Sequence, residues 1–433
     1  MKLLLSVLSL VALLATPVAA IEIQPVTSPE GRQAWLVEEG SIPFVSIQVI
    51  FTGGSSLDPE GKAGAMSLMT ALLNEGAGDL DSQAYATALE SLAGTISFEA
   101  GRDQVSMTIR ALTENRDQVI DLAMLALTQA RLDDDSIDRV RAQMIASQER
   151  EARNPNSIAR RAFAELGFAG HPYATPTGGT PESIAGLTSE DVRNAYRAAF
   201  TGDLVYVGAA GDISAQDLGA IVDRIVGALP DSNSTLPDYR SFNAPPGITV
   251  IDFPAPQSVI QFGHAGMRWD DDDFMTAYVI NSAFGGGGFN SSLMQELREQ
   301  RGLTYGVYTG LASNRFGDSF VGSFSTANET VVQAIDLVRA QFEWLANGGM
   351  TQEDLDRIQT YLTGAYALRF DGNGSIAQIL ASMQFQGYPL NYINIRNDLI
   401  RAITLDDVRR VSARLAQPDA LQFVVVGQPV GLD

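Results

Sequence analysis

The chain has no cysteine. This rules out disulfides, thiolate metal sites and a lipid-attachment cysteine, so the fold is held without cross-links of that kind. Histidine is almost as scarce. His171 and His264 are the two in 433 residues. Neither H-x-x-E-H nor H-E-x-x-H occurs, so the sequence carries no histidine-pair zinc motif. His171, in GHPY, reads as a loop packing residue, and His264, at the end of a strand-like run, as structural. Positive charge is in short supply. Lys and Arg total 29 against 51 Asp and Glu, for a formal charge of −22. Such a surface argues against nucleic acid and anionic membranes as partners. G-x-S-x-G is absent, so Ser55 and Ser56 after Gly53-Gly54 form no nucleophile elbow. No Lys-Ser/Thr follows Gly285–Gly288 and no βαβ pattern surrounds them, which excludes a phosphate loop. Asp270 to Asp273 lack the spaced ligands and glycine of a calcium loop and read as a solvated turn.

Long apolar runs are missing except at the start. Lys2 supplies a charged beginning, Leu3 to Leu14 an apolar run, and Val18-Ala19-Ala20 a small-residue cleavage site. Residues 1–20 are therefore expected to be a secretory signal peptide, because the run is too short to span a bilayer. The mature protein is expected to be exported and not membrane-spanning, and in a bacterium to be periplasmic. Apolar residues make up 45% and charged residues 18%, the composition of a globular protein long enough for two domains.

Residues 44–51 (FVSIQVIF) read as a buried or half-buried strand. TGGSSLDPEGK follows as a loop, then helices over 63–73 and 82–93. Strands are expected at 95–100 and 104–112, and helices at 115–130, 133–153, 158–168, 189–200 and 215–228. Ser189 is placed to cap the helix it opens. A strand is expected at 204–210. Residues 230–247 hold four prolines without periodicity and read as a linker. After it the pattern starts again. Gln48 pairs with Gln261 at an offset of 213, Asp138 with Asp356 at 218, and both Asp191 with Asp407 and Gly211 with Gly427 at 216. Four separate segments at a near-constant offset mean an internal duplication of two α+β halves, 21–229 and 248–433.

The most patterned stretch is GGGGFNSSLMQELREQRGLTYGV, from Gly285 to Val307. Gly285, Gly286, Gly287 and Gly288 leave room for another chain to approach closely. Ser292 with Gln295 reads as a capping box opening a helix. Leu293 and Leu297 share a helical face, Gly302 stops the helix, and 303–311 alternate with strand period. Folding back past Gly302 is expected to bring Tyr305 near Arg298. Guanidinium and phenol can both donate to a peptide carbonyl or its oxyanion. On these residues alone the ordinary reading takes precedence: Tyr305 as core, Arg298 as surface charge, the glycines as a turn.

Taken together, the motifs and the duplication resemble the pitrilysin/insulinase-type zinc peptidases, the inverzincins, which include the mitochondrial processing peptidases. The resemblance covers nearly the whole mature chain. It runs through GGSSLDPEGKAGAMSLMTALLNEGAG, through GHPYATPTGGTPESIAGLTSEDVRNAYRAAF, and through the R-E-Q-R-G-L-T-Y motif behind the glycines. It implies an α+β fold of two homologous halves, each a mostly antiparallel sheet with helices on one face, forming half of a clam-shaped peptidase. The departure is at the metal site. The H-x-x-E-H positions are Ser67, Thr70 and Ala71, and the third ligand falls near Ser147, with Glu149 and Glu151 close by. No cofactor is therefore expected in this chain, and zinc is expected in a partner. The resemblance implies a zinc-free subunit of an exported heterodimeric peptidase. In that assembly Arg298 and Tyr305 act in trans beside the zinc of a homologous H-x-x-E-H subunit, on an unfolded or extended peptide. The alternative is an inert scaffold or peptide-binding protein of the same fold.

Overall fold

The computed structural model describes residues 22–432. The expected signal peptide over 1–20 lies outside the described residues. In chain order the strands are β1 (Gln24–Thr27), β2 (Gln33–Glu38), β3 (Phe44–Thr52), β4 (Gly76–Ala77), β5 (Leu80–Asp81), β6 (Thr95–Ala100), β7 (Gln104–Leu112), β8 (Val205–Gly211), β9 (Arg240–Ser241), β10 (Gly247–Asp252), β11 (Gln257–His264), β12 (Val307–Asn314), β13 (Gly317–Ala327) and β14 (Gln422–Gly427). They form two large sheets, ordered β1-β2-β8-β3-β7-β6 and β10-β14-β11-β13-β12, plus the small β4-β5 hairpin.

The two sheets share one topology. β2 runs parallel to β8 as β10 runs parallel to β14, and all other neighbours in the two orders are antiparallel. Gln48 faces Gly208 across β3 and β8, and Gln261 faces Val424 across β11 and β14. The duplication is thus present in register as well as in sequence. Cap chemistry repeats too. Thr188 with Asp191 and Thr404 with Asp407 form capping boxes at equivalent helix starts. The cap of the first is Thr188, not the expected Ser189, because the Thr188 hydroxyl is the group that accepts the Asp191 N–H.

Each half packs its own helices on one face of its sheet, over a core that includes Ile47, Met69 and Ile120 in the first and Phe262, Phe284 and Phe342 in the second. The opposite face receives a helix from the other half. The helix Pro155–Gly167 lies on β11 and β14, and the helix Asn373–Phe385 lies on β8 and β3. This explains why β3 and β14 are buried along nearly their whole length rather than alternately. Gly208 is required at the second crossing, since a Cβ there would sit 2.4 Å from the Ala377 carbonyl oxygen.

Between the halves, residues 230–239 have no regular structure, and Arg240–Ser241 joins β13 in parallel. A polar strut adds to the junction. Asp103 accepts from the Ser56 hydroxyl at 2.9 Å, from the Tyr173 phenol, and from the Arg315 N–H at 2.9 Å. The Phe316 N–H in turn donates to the Tyr173 oxygen at 3.0 Å. His171 is held neutral, as expected of a packing residue. It accepts from the Tyr173 N–H at Nδ1 and donates from Nε2 to the Asp238 carbonyl.

Candidate functional site

The helix Phe274–Asn281 widens into a π-helical turn at Ser282–Gly286. The chain then passes through a 3₁₀ turn at Gly288–Asn290 and enters a second π-helical segment, Met294–Glu299. Such turns are rare and concentrate at functional sites. The expected capping box at Ser292 does not form. The Gln295 N–H donates to the Ser291 carbonyl, the Ser291 hydroxyl to the Gly288 carbonyl, and the Gln295 side chain to the Phe289 carbonyl. The helix already includes Ser292, so the Gln295 N–H makes an ordinary i to i−4 bond and Ser291 stands at the cap position. Leu293 and Leu297 are fully buried, as their shared face requires.

The glycines divide into different roles. Gly285 is buried, and a Cβ on it would lie 2.3 Å from the Thr309 hydroxyl. Its small size lets the π turn rest on β12, so the expectation that Gly285 lies open to substrate is corrected. Gly286 is exposed, and Gly287 and Gly288 are half-buried. Gly288 has φ +70°, with open space around its missing side chain.

The helix ends in a left-handed glycine cap. The Leu303 N–H donates to the Leu297 carbonyl and the Gly302 N–H to the Arg298 carbonyl, with Gly302 at φ +61°. Residues 303–306 do not join the sheet, so β12 begins four residues later than the alternation predicts. The reason is local. The Thr304 hydroxyl donates to the Gly306 carbonyl and accepts the Gly306 N–H, closing a tight turn around Tyr305.

Tyr305 therefore projects outward, 88% exposed, and is not core. The Arg298 guanidinium lies over the Phe289 ring at 4.4 Å, with Nε 3.6 Å from the Glu299 carboxylate. Its Nη1 is buried without a hydrogen-bond partner. Among the described residues no hydrogen bond joins Arg298 to Tyr305. They share one loop-bounded segment, with the Gly302 turn between them. The Phe289 platform was not anticipated. An aromatic directly after a glycine run, nine residues before an arginine, was the available signal.

The zinc-site positions of the first half are arranged differently. Asp58 receives the Gly64 and Met66 N–H groups at 2.8 and 2.9 Å and caps the helix Ala65–Leu72. Burial pushes its carboxyl up to about 7, against those two bonds. On that helix the Ser67 hydroxyl donates to the Thr177 carbonyl at 3.0 Å and the Thr70 hydroxyl to the Ser67 carbonyl. Ala71 offers a methyl group. The helix packs on Asp134–Glu151, where Ser147 is half-buried and Glu149 and Glu151 are exposed. This donor set does not fit zinc, because it lacks imidazole and its hydroxyls are engaged with carbonyls. Among the described residues no group of three His, Cys, Asp or Glu is placed to hold a metal ion.

Residues 35–181 match the family model described as Insulinase (Peptidase family M16), and residues 186–362 match the Peptidase M16 inactive domain. A "Non-peptidase homolog YmxG" of Helicobacter pylori is 23% identical over 90% of both chains. A "Probable mitochondrial-processing peptidase subunit beta" of Schizosaccharomyces pombe is 21% identical, over 90% of this chain and 88% of that one. The crystal structure of a peptidase M16 inactive domain from Pseudomonas fluorescens superposes with a TM-score of 0.88 at 28% identity, covering 95% of this chain and 99% of that chain.

Proposed function

Since this chain belongs to the insulinase (M16) family of peptidases, we propose that it is the zinc-free subunit of an exported, periplasmic heterodimeric metallopeptidase. The observation that carries the proposal is the contrast between the halves. Ser67, Thr70 and Ala71 offer no metal ligand, while the second half presents Tyr305 outward and, seven residues before it in the chain, Arg298, whose Nη1 has no hydrogen-bond partner. The partner is a homologous chain bearing H-x-x-E-H, and the substrate is an unfolded or extended peptide. Within this chain, Tyr305 supplies a phenol donor and Arg298 a guanidinium. Both are directed at a peptide carbonyl and the negative charge that grows on it in the transition state. The exposed Gly286 and the half-buried Gly287 and Gly288 let the peptide lie close to the backbone. The zinc of the partner, when bound, polarises the scissile carbonyl.

The test is peptidase activity on a panel of unfolded peptides with zinc. It is run for this chain, for an H-x-x-E-H homologue encoded with it, and for the two mixed. Activity confined to the mixture is the expected result. A homologue equally active with and without this chain would leave the second reading, an inert scaffold or peptide-binding protein of the same fold. One observation favours that reading: Arg298 is already stacked on Phe289 rather than paired with Tyr305.

A further inference from the structure

A cavity of about 760 Å³ opens in the second half, away from the glycine-rich segment. It lies between the helix Phe274–Asn281, the segment from Tyr366 into the helix Asn373–Phe385, and the helix Tyr392–Ala402. None of Gly285–Gly288, Arg298 or Tyr305 lines it. Its charged lining consists of Arg369 and Arg396, with no Asp or Glu. That is unusual in a chain of net charge −22, where most arginines here sit beside a carboxylate.

Arg396 is 4% exposed. Its guanidinium carbon lies 4.1 Å from the Tyr366 ring centre and 5.7 Å from that of Tyr278. Nη1 donates to the Leu362 carbonyl at 3.2 Å and to Asn397 Oδ1 at 3.1 Å. Nη2 reaches only the Tyr278 hydroxyl, at 3.5 Å, the outer limit of a hydrogen bond. Among the described residues no carboxylate pairs with it. A buried guanidinium without a counter-charge is costly, and an anion bound beside it recovers much of that cost. The walls supply the rest of a site. Tyr388 stacks on Tyr392 with ring centres 4.2 Å apart, and Trp269 meets Tyr388 edge-on at 6.1 Å. The lining Ser313 carries a buried hydroxyl with no partner.

We propose that this cavity binds an organic carboxylate with an aromatic body, as found at the free C-terminus of a peptide or acylated amino acid ending in an aromatic residue. Arg396 and Arg369 take the carboxylate, whose two oxygens match a guanidinium fork. The Trp269–Tyr388–Tyr392 wall takes the ring. The cavity thus reads a chain end, whereas the Arg298–Tyr305 segment reads a peptide backbone, and the two sites are independent.

The test is calorimetric titration of the whole chain with four probes: N-acetylphenylalanine, its amide, a peptide ending in phenylalanine, and the same peptide amidated. Both acids are expected to bind at least tenfold more tightly than their amides. Equal affinity for the two acids assigns the site to a free aromatic carboxylate. Tighter binding of the peptide acid assigns it to a peptide C-terminus. Arg369→Gln, at an exposed position, is expected to weaken the acids at least threefold, leave the amides unchanged and leave the melting temperature in place. Arg396→Lys, which keeps the charge and loses the fork, is expected to narrow the acid–amide gap. No binding of either acid at millimolar concentration, or acids and amides binding alike, would overturn the proposal. So would acid binding indifferent to Arg369→Gln. Because the readout is binding by this chain alone, its outcome does not depend on the peptidase assay.

Discussion

Tyr305 and Arg298 are adjacent in the proposed chemistry but differently supported, and the difference can be measured. Tyr305 is almost free of the fold, so Tyr305→Phe is expected to leave stability unchanged while lowering turnover of the mixed complex about tenfold or more. Arg298 contributes a cation–π contact to Phe289, so Arg298→Ala is expected to cost this chain up to about 1 kcal/mol and turnover a similar or larger factor. Thermal melts of the isolated variants, set beside kcat of the complexes, separate the two effects. Unchanged turnover in both variants would remove them from the reaction. His264 supplies a prediction of another kind. Burial holds its imidazole down to about 4, with Nδ1–H donating to the Ala265 carbonyl and the Gln417 N–H reaching Nε2. An unfolded histidine titrates near 6.5. Between those values the unfolded chain takes up a proton that the folded His264 refuses, so its contribution is intact above about 6.5 and is lost as pH falls toward 4. The loss amounts to about 3 kcal/mol. Urea denaturation from pH 7 to pH 4 is expected to show a flatter acid limb in His264→Gln than in the natural chain.

At the level of elements, Gly208 and Gly310 are both strand glycines with opposite surroundings. A Cβ at 208 meets the Ala377 oxygen at 2.4 Å and the Ala381 nitrogen at 2.6 Å, backbone atoms of a helix that cannot turn aside. Gly208→Ala is therefore expected to cost about 1–3 kcal/mol, while Gly310→Ala, with nothing within 4 Å, is expected to be near neutral. Denaturant midpoints of the two variants check this. The same elements show what the sequence made legible. FVSIQVIF carries the pattern of a buried or half-buried strand, and the constant offset implies two copies of one α+β half. The run of buried residues in β3 implied that both faces are covered, but no local pattern says that the second cover comes from a helix more than 300 residues away. The short strands β1 and β2 also escaped notice, because QPVT and QAWLVE are too brief and mixed for periodicity to show. At the candidate site the residues were legible and the geometry was not. A six-residue helical segment of period 3.6 and one of wider π period leave nearly the same apolar spacing, so the widened turns of Ser282–Gly286 and Met294–Glu299 were invisible. The turn that pulls Tyr305 out of the strand depends on one hydroxyl, Thr304.

For the whole molecule, the exchanged helices decide how the chain unfolds. Without the helix Asn373–Phe385, residues 22–229 would expose the face of their sheet that carries Val37, Ile50 and Ala210, which it now covers. Without the helix Pro155–Gly167, the second half would expose Val259, Val424 and Val426. Each loss uncovers buried aliphatic side chains, at up to about 1.5–3 kcal/mol for each valine or isoleucine, a sizeable share of the stability of an ordinary domain. The Asp103–Tyr173–Arg315 strut would also be cut, leaving the buried Asp103 carboxylate without the Arg315 N–H and the Tyr173 oxygen without the Phe316 N–H. The linker at 230–247 is a break in pattern, yet on this argument it is not a boundary of cooperative folding. The full chain is expected to melt in one calorimetric transition whose van't Hoff and calorimetric enthalpies agree. A fragment comprising residues 22–229 is expected to bind a hydrophobic dye and show no cooperative melt, and to regain one when mixed with 230–433. Two resolved transitions in the full chain, or a fragment that melts cooperatively alone, would show that the helices cover the opposite sheets without sustaining them. One cooperative unit also bears on the proposed assembly. If the halves cannot open against each other, any clam-like closing over a peptide must occur between subunits, and Tyr305 meets its substrate by the movement of this chain as a single body.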